Sequence, residues 1–278
     1  MTAPPDLSSD LSLVAADQRD FVRALARGLA VIKSFEGAQS ALSLSEVAVR
    51  AGLNRGTVRR ALITLQALGY VAEDRGRFVL TAHTLQLGYS YLSSQPIWTL
   101  ARPYVEDLSA RTNEACSLSV LDGDSIVYIL RVTTPRLLHD KLAIGSRLPA
   151  YPASMGRVLL AALSDEALDA YLTNTRLKPL TPLTIVDPKR LRAIILQVRE
   201  AGYAVNDQEM EMGLRSIAVP IVGADGKTIA ALNIGASSAR TSYVEMEKNF
   251  LPELRDVARR IAELLRHAGM RASQGMTH

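Results

Sequence analysis

With 278 residues, 48% of them hydrophobic, the chain is long enough and apolar enough for two modest domains with separate cores. Its single cysteine, Cys116, excludes an intramolecular disulfide and a cysteine-based zinc cluster, and its place in an alternating apolar run marks it as core. No apolar run approaches the ~20 residues that span a bilayer. The acidic, proline-broken N-terminus lacks the basic and apolar regions of a signal peptide, so the expectation is a soluble, cytoplasmic protein with no membrane partner.

The formal charge of +4 is unevenly spread. Residues 19–83 carry ten Lys or Arg against five acids, whereas residues 1–18 carry Asp6, Asp10 and Asp17 and no basic residue. The remainder is close to balance. A basic N-terminal module on a near-neutral body suggests a nucleic-acid reader joined to a separate sensor.

In chain order, residues 1–18 read as a flexible tail. Val22, Leu25, Leu29, Ile32 and Phe35 recur at helical intervals, predicting a first helix over Phe21–Phe35 that packs behind the next two helices. Ser43 and Glu46 form an S-x-x-E capping box, so a helix starts at Leu44. Its inner face is Val47, Ala48 and Ala51; Gly52 ends it and Leu53 fills the turn. Asn54 caps a second helix, whose inner face is Val58, Ala61, Leu62 and Leu65. This is the pattern of a helix-turn-helix, whose second helix enters the major groove. Arg55, Thr57, Arg59 and Arg60 are expected outside, together with Ser45 on the first helix. Arg suits this place because it pairs bidentately with guanine or grips phosphate. An ordinary arginine-rich surface pair of helices is the competing reading. Two β-prone runs, Leu68–Glu73 and Phe78–Leu80, then flank a polar turn and predict a wing, with Arg75 and Arg77 at its tip facing duplex DNA.

His83–Leu92 predicts a short helix whose Leu and Tyr are spread widely round it, either a linker helix packed on a partner chain or a fully buried helix. After Pro96, Ile97–Ser109 resumes helical spacing. From Glu114 the period changes to two, predicting a hairpin around Asp122-Gly123-Asp124. A further strand is expected within Leu137–Leu148, with Gly145-Ser146 as turn. Ser154–Leu163 predicts a helix with Ser154 as N-cap, and Ser164 caps a short helix through Tyr171. Asp187-Pro188 opens a longer helix ended by Gly202, since Pro suits a first helical turn. Tyr203–Val205 is a strand, Ser216–Val222 and Thr228–Ile234 a second hairpin, and Ser242 to about Ala268 a closing helix. Strands joined largely by hairpins among helices imply an α+β domain with a mostly antiparallel sheet. The expected organisation is a mainly α winged helix-turn-helix over 19–82, a linker helix over 83–95, an α+β domain over 96–270 and a tail over 271–278.

The chemistry of an enzyme is not legible. His83, His139, His267 and His278 show no metal-ligand spacing, and there is no G-x-S-x-G elbow, Walker loop or dinucleotide fingerprint. The expectation is no catalytic residue, no metal and no cofactor. The carboxylate pairs Asp165-Glu166 and Glu209/Glu211 read as a helix start and a polar loop. At Ser154, the unpaired amides of Met155 and Gly156 with the helix dipole form an anion site, unless Ser154 is a plain cap. Arg136 or Arg147 could add a charge-assisted contact to a carboxylate there. A purely architectural DNA-binding protein would not need this second domain.

LARGLAVIKSF (25–35), LSEVAVRAGLNRGTVRRALITLQALGYV (44–71), LPAYPASMGRVLLA (148–161), GYAVNDQEMEMGLRSIAVPI (202–221) and GKTIAALNIG (226–235) together resemble the IclR family of bacterial transcriptional regulators. More narrowly, SRLPAYPASMGRVLLA and NDQEMEMGLRSIAVP are similar to the subgroup that regulates aromatic-acid breakdown through the β-ketoadipate route, the PcaR, PcaU and PobR type. The resemblance implies a winged-helix reader of an operator in double-stranded DNA, a linker helix used in dimerisation, and a GAF-like effector domain. It implies a homodimer that can pair into a tetramer, contact with RNA polymerase if it is an activator, and a small carboxylate effector of the protocatechuate, 4-hydroxybenzoate or β-ketoadipate kind. Carried onto this chain, the family's effector pocket falls on Ser154, Met155, Asn206, Ser216, Asn233 and Gly235, with Leu148 as an apolar wall. Asn206 stands where some relatives carry Asp, Ser216 where one carries Cys, and Asn233 and Gly235 where that one carries two Ser. That relative binds tiny ketoacids, so the departures imply a larger, ring-sized ligand here.

Overall fold

The computed structural model describes residues 20–38, 40–94, 97–134 and 142–267. The expected tails, Pro96, Arg136, His139 and much of the strand expected within 137–148 lie outside the described residues. The chain divides into two compact units between Tyr91 and Leu92, within the segment read as a linker.

The first unit holds α1 (Arg23–Lys33), β1 (Leu42–Ser43), α2 (Leu44–Ala51), α3 (Arg55–Ala67) and the hairpin β2 (Val71–Asp74) and β3 (Arg77–Leu80). The strands form a small antiparallel sheet in the order β1-β3-β2. The predicted caps form as expected. The Glu46 amide donates to Ser43 Oγ at 3.3 Å while the Ser43 amide donates to Glu46 Oε2 at 2.7 Å. Gly52 takes φ +63°, and the Leu53 amide returns to the Ala48 carbonyl at 3.0 Å, closing the turn. The Thr57 amide donates to Asn54 Oδ1 at 2.9 Å. Val31, Val47, Val58, Leu62, Val71 and Phe78 form the core. The first helix differs from expectation: its buried face is Ala30 and Val31, continued by Phe35, while Val22, Leu25 and Leu29 face outward. A stripe of apolar residues at helical spacing shows that a face is apolar, not what covers it.

Helix α4 (Leu85–Ser94) follows a short 3₁₀ turn, Ala82–Thr84, capped by Thr81. It buries no residue, and Leu85, Leu87, Tyr89 and Tyr91 are exposed. The fully buried alternative is therefore excluded for this chain by itself.

The second unit opens with α5 (Ile97–Thr112) and the hairpin β4 (Ala115–Asp122) and β5 (Ser125–Val132). Next come β6 (Arg147–Pro149), α6 (Ser154–Ala161), α7 (Asp165–Asn174), α8 (Pro188–Ala201), β7 (Ala204–Asp207), β8 (Leu214–Val222) and β9 (Thr228–Ser237). A π turn at Met246–Phe250 leads into α9 (Leu251–His267). That wide turn ends at Leu251-Pro252, where the proline has no amide for a regular i→i−4 bond. All strands join one antiparallel sheet in the order β6-β5-β4-β9-β8-β7, giving the expected α+β domain.

Period-two alternation decides what each face of this sheet does. Cys116 and Leu118 of β4, Ile217, Val219 and Ile221 of β8, and Leu232, Ile234 and Ala236 of β9 pack against α5 and α9. The intervening residues are small or polar: Ser117 and Ser119 on β4, Ser216 and Ala218 on β8, Ala231, Asn233 and Gly235 on β9. They face α6 and leave room beneath it. Cys116 is fully buried, and burial pushes its thiol up to about 12, so it is an inert core residue.

Candidate DNA interface and ligand cavity

On α3, the side chains of Arg55, Arg59 and Arg60 are exposed and make no hydrogen bond or ion pair to any described residue. Their charges stay outside the buried Val58–Leu62–Leu65 stripe, Arg55 and Arg59 flanking it and Arg60 on the far side. Ser45 is exposed on α2. Thr57, expected outside, is instead only 7% exposed and turns inward, because its position falls on the Ala61–Leu65 side of the helix. Arg75 lies at the wing tip with φ +49°, followed by Gly76 at φ +76°. Two positive φ values in succession define the tight turn that lets β2 and β3 keep their twist. Arg77 is not at the tip but at the first residue of β3. Its Nη1 donates to the Ala41 carbonyl at 2.7 Å and lies 3.8 Å from Glu46, so it braces β1 and α2. Arg50, on the far end of α2, donates from Nε to the Ser34 carbonyl at 2.5 Å and from Nη2 to that of Glu36, tying α2 to the end of α1.

In the second unit a cavity of ≈ 920 Å³ opens between the sheet and the start of α6. Of the residues expected to bind an effector, Leu148, Ser154, Met155, Ser216, Asn233 and Gly235 all line it. Two that the sequence reading missed, Tyr128 and Arg131 of β5, line it as well, as do Met210, Glu211 and Met212 of the loop before β8. Tyr128 and Arg131 lie on either side of the bulge at Leu118/Ser119, where Ile129 is left without a partner and the pairing shifts by one residue. Simple alternation through β5 therefore cannot say which face they take. Arg131 donates from Nη1 to Ser117 Oγ at 3.1 Å, and its guanidinium carbon stands 5.5 Å from the Tyr128 ring. Burial lowers the Arg131 pKa and raises that of Tyr128.

Four expectations change at this site. Ser154 is the first residue of α6 rather than its N-cap; Ala153 is the cap, and it offers no side-chain bond. The Ser154 hydroxyl instead meets Ser216 Oγ at 2.8 Å, joining the helix start to β8. Gly156 is not on the lining; its Cα faces the Ala150 backbone, where an added Cβ would lie 1.9 Å from the carbonyl oxygen. Asn206 is buried but not on the lining. Its Nδ2 donates to the Pro152 carbonyl and its Oδ1 accepts from the Glu209 amide at 3.3 Å. Its two polar atoms hold the loop before α6 to the loop after β7. Arg147 is likewise committed elsewhere, to the side chain and carbonyl of Asp122 at the sheet edge.

Behind the cavity lies a buried ion pair. Arg157 Nη2 donates to Glu209 Oε2 at 2.6 Å, with side chains 3% and 10% exposed. Arg157 Nε also donates to the Tyr151 carbonyl at 3.0 Å, and Glu209 Oε2 accepts from the Ile185 amide at 3.1 Å. Glu209 was expected in a polar loop; it is a structural group, but an interior one. Among the described residues no cluster of three His, Cys, Asp or Glu could hold a metal, and no helix is long and apolar enough to cross a membrane.

Comparison with known proteins gives this geometry its context. Residues 24–75 match the IclR helix-turn-helix domain and residues 89–263 the C-terminal domain of the bacterial transcriptional regulator IclR. The chain belongs to the IclR family. This regulator is 43% identical over 266 residues to the Pca regulon regulatory protein of Pseudomonas putida, covering 95% of this chain and 91% of the relative. It is 36% identical over 251 residues to the p-hydroxybenzoate hydroxylase transcriptional activator of Acinetobacter baylyi, covering 88% and 93%. An IclR homologue from Microbacterium hydrocarbonoxydans, solved in complex with 4-hydroxybenzoate, superposes with a TM-score of 0.77 at 26% identity, covering 88% of this chain and 99% of that one.

Proposed function

We propose that this IclR-family regulator senses a small aromatic acid of the protocatechuate or 4-hydroxybenzoate kind and controls genes of aromatic-acid breakdown. The observation that carries the reading is the cavity itself. Six residues from four separate chain segments converge on it, offering hydroxyl and amide groups among the apolar walls of Leu148 and Met155. A ring fits this space, and the relatives named above are regulators of the matching pathways. Regulation of another carboxylate pathway by the same cavity is the second reading, and β-ketoadipate is the dicarboxylate to compare.

The winged unit reads the operator through Arg55, Arg59, Arg60 and Arg75, in the cytoplasm where the operator lies, and an activator would also engage RNA polymerase. Ligand must bind the two conformations of the regulator unequally if it is to change transcription, since equal affinity shifts nothing. Thermal unfolding of the whole chain with each acid is the first test. At 100-fold excess over Kd, a ligand adds about 2.7 kcal/mol, a rise of about 5–10 °C for units of this size. A panel of hydroxybenzoates that leaves the transition unmoved removes the aromatic-acid reading, and a shift by β-ketoadipate alone favours the second one.

A further inference from the structure

Asn233 has an unusual position for an amide. It is 8% exposed, lies on the cavity floor, and its Oδ1 is buried with no hydrogen-bond partner among the described residues. Buried amide oxygens are almost always bonded, so an orphan on a residue that lines a cavity points to a group that arrives with a ligand. Its neighbour across β4 is Ser117, and Ser117 in turn pairs with Arg131 on β5. Arg131 and Asn233 thus lie two strand spacings apart on one face, roughly 10 Å between backbones. Both line the cavity, and Ser117 and the Tyr128 ring fix the orientation of the guanidinium.

We infer that Arg131 anchors the carboxylate of the effector and that Asn233 reads a hydroxyl at the ligand's other end. The inference rests on the aromatic-acid reading and narrows it to a hydroxylated monoacid. A guanidinium held at the wall of a cavity attracts a carboxylate by charge and can form charge-assisted hydrogen bonds to it. The helix start is a poorer anchor, because the Ser154 hydroxyl is already bonded to Ser216. The second cation on the lining, Arg240, faces the carboxylate of the buried Glu114 at 3.3 Å. A second carboxylate on the ligand would meet the Asn233 amide and the neutral Ser154–Ser216 pair, with Glu211 on the same wall. A hydroxyl both donates and accepts, so it satisfies the Asn233 amide in either orientation.

Calorimetry on the full-length protein tests this, with 4-hydroxybenzoate, benzoate and the neutral 4-hydroxybenzamide as probes. Wild type should prefer 4-hydroxybenzoate to either of the others by about 10-fold or more. Asn233→Leu should erase the preference over benzoate while benzoate still binds. Arg131→Gln should weaken both acids alike by about 10-fold or more, and Arg131→Lys should recover part of the loss. The benzamide comparison needs no substitution, so it stands even where a variant fails to fold. If the acids bind but Arg131→Gln leaves them unchanged, or Asn233→Leu keeps the hydroxyl preference, the assignment is overturned and the aromatic-acid reading survives. If no acid binds wild type, both fall together.

Discussion

Among the arginines of the winged unit, position along the chain does not decide role; the partners of each side chain do. Arg59 and Arg60 are adjacent on α3, exposed and unengaged, while Arg50 and Arg77 spend their donors on backbone carbonyls of their own unit. Arg59→Ala should therefore weaken operator binding by about 1–3 kcal/mol and relax preference at one base pair. Loss of a phosphate-gripping arginine should lower affinity evenly and reduce the salt slope by about one. Gel-shift titrations on operator and scrambled duplex across a salt series separate the two, and an Arg59→Ala protein with unchanged affinity and preference removes α3 as the reading helix. At Gly156 the deciding contact is steric. A Cβ there would sit 1.9 Å from the Ala150 carbonyl oxygen, which is backbone and cannot swing aside. Gly156→Ala must therefore shift α6 off the loop before it, at a cost of about 1–3 kcal/mol. Thermal melts of the apo protein should show the loss, and an unchanged melt would mean that the helix and loop are looser than this contact demands.

Helix α6 is the element on which the ligand cavity depends, and its surroundings explain what the sequence could and could not tell. Its existence and the caps of its neighbours are local signals, and they were legible; the role of Gly156, set by the Ala150 backbone, was not. Which residue caps it was not, because Ser154 found a better partner 62 positions away in Ser216. The roles of Asn206 and Glu209 were also hidden, since each is set by groups from other elements. The Arg157–Glu209 pair and the Asn206 amide fasten α6, the loop before it and the loop after β7 into one assembly. Breaking a buried pair on one side leaves an uncompensated charge, so Arg157→Met should cost about 3–5 kcal/mol. Adding Glu209→Gln to that variant should restore part of the stability, because the stranded charge is removed. Chemical denaturation of the single and double variants measures this, and a double variant no better than the single would show the cost to be packing alone.

At the scale of the whole chain, the order of elements and the two-unit division were readable from periodicity and capping, while exposed apolar faces were readable only as apolar. Val22 before α1, Leu25 and Leu29 on it, and Leu85, Tyr89 and Tyr91 on α4 remain uncovered in a single chain. A lone helix-turn-helix spans one short half-site, so a paired arrangement on a pseudo-palindromic operator is expected. Light scattering at micromolar concentration should report at least a dimer, and Leu85→Asp with Tyr89→Asp should shift it towards monomer. A monomeric wild type, unchanged by operator DNA, would contradict this. The alternation in β4, β8 and β9 has one more consequence. Each of these strands gives one row of side chains to the core beneath α5 and α9, while on the opposite row Ser117, Ser216, Asn233 and Gly235 line the cavity and Ala218 and Ala231 pack with α6. Substitution at Ser117 or Asn233 is therefore expected to change what the cavity accepts without drawing on the packing beneath α5 and α9. A sensor built this way can change its inducer in single steps while remaining folded at every one.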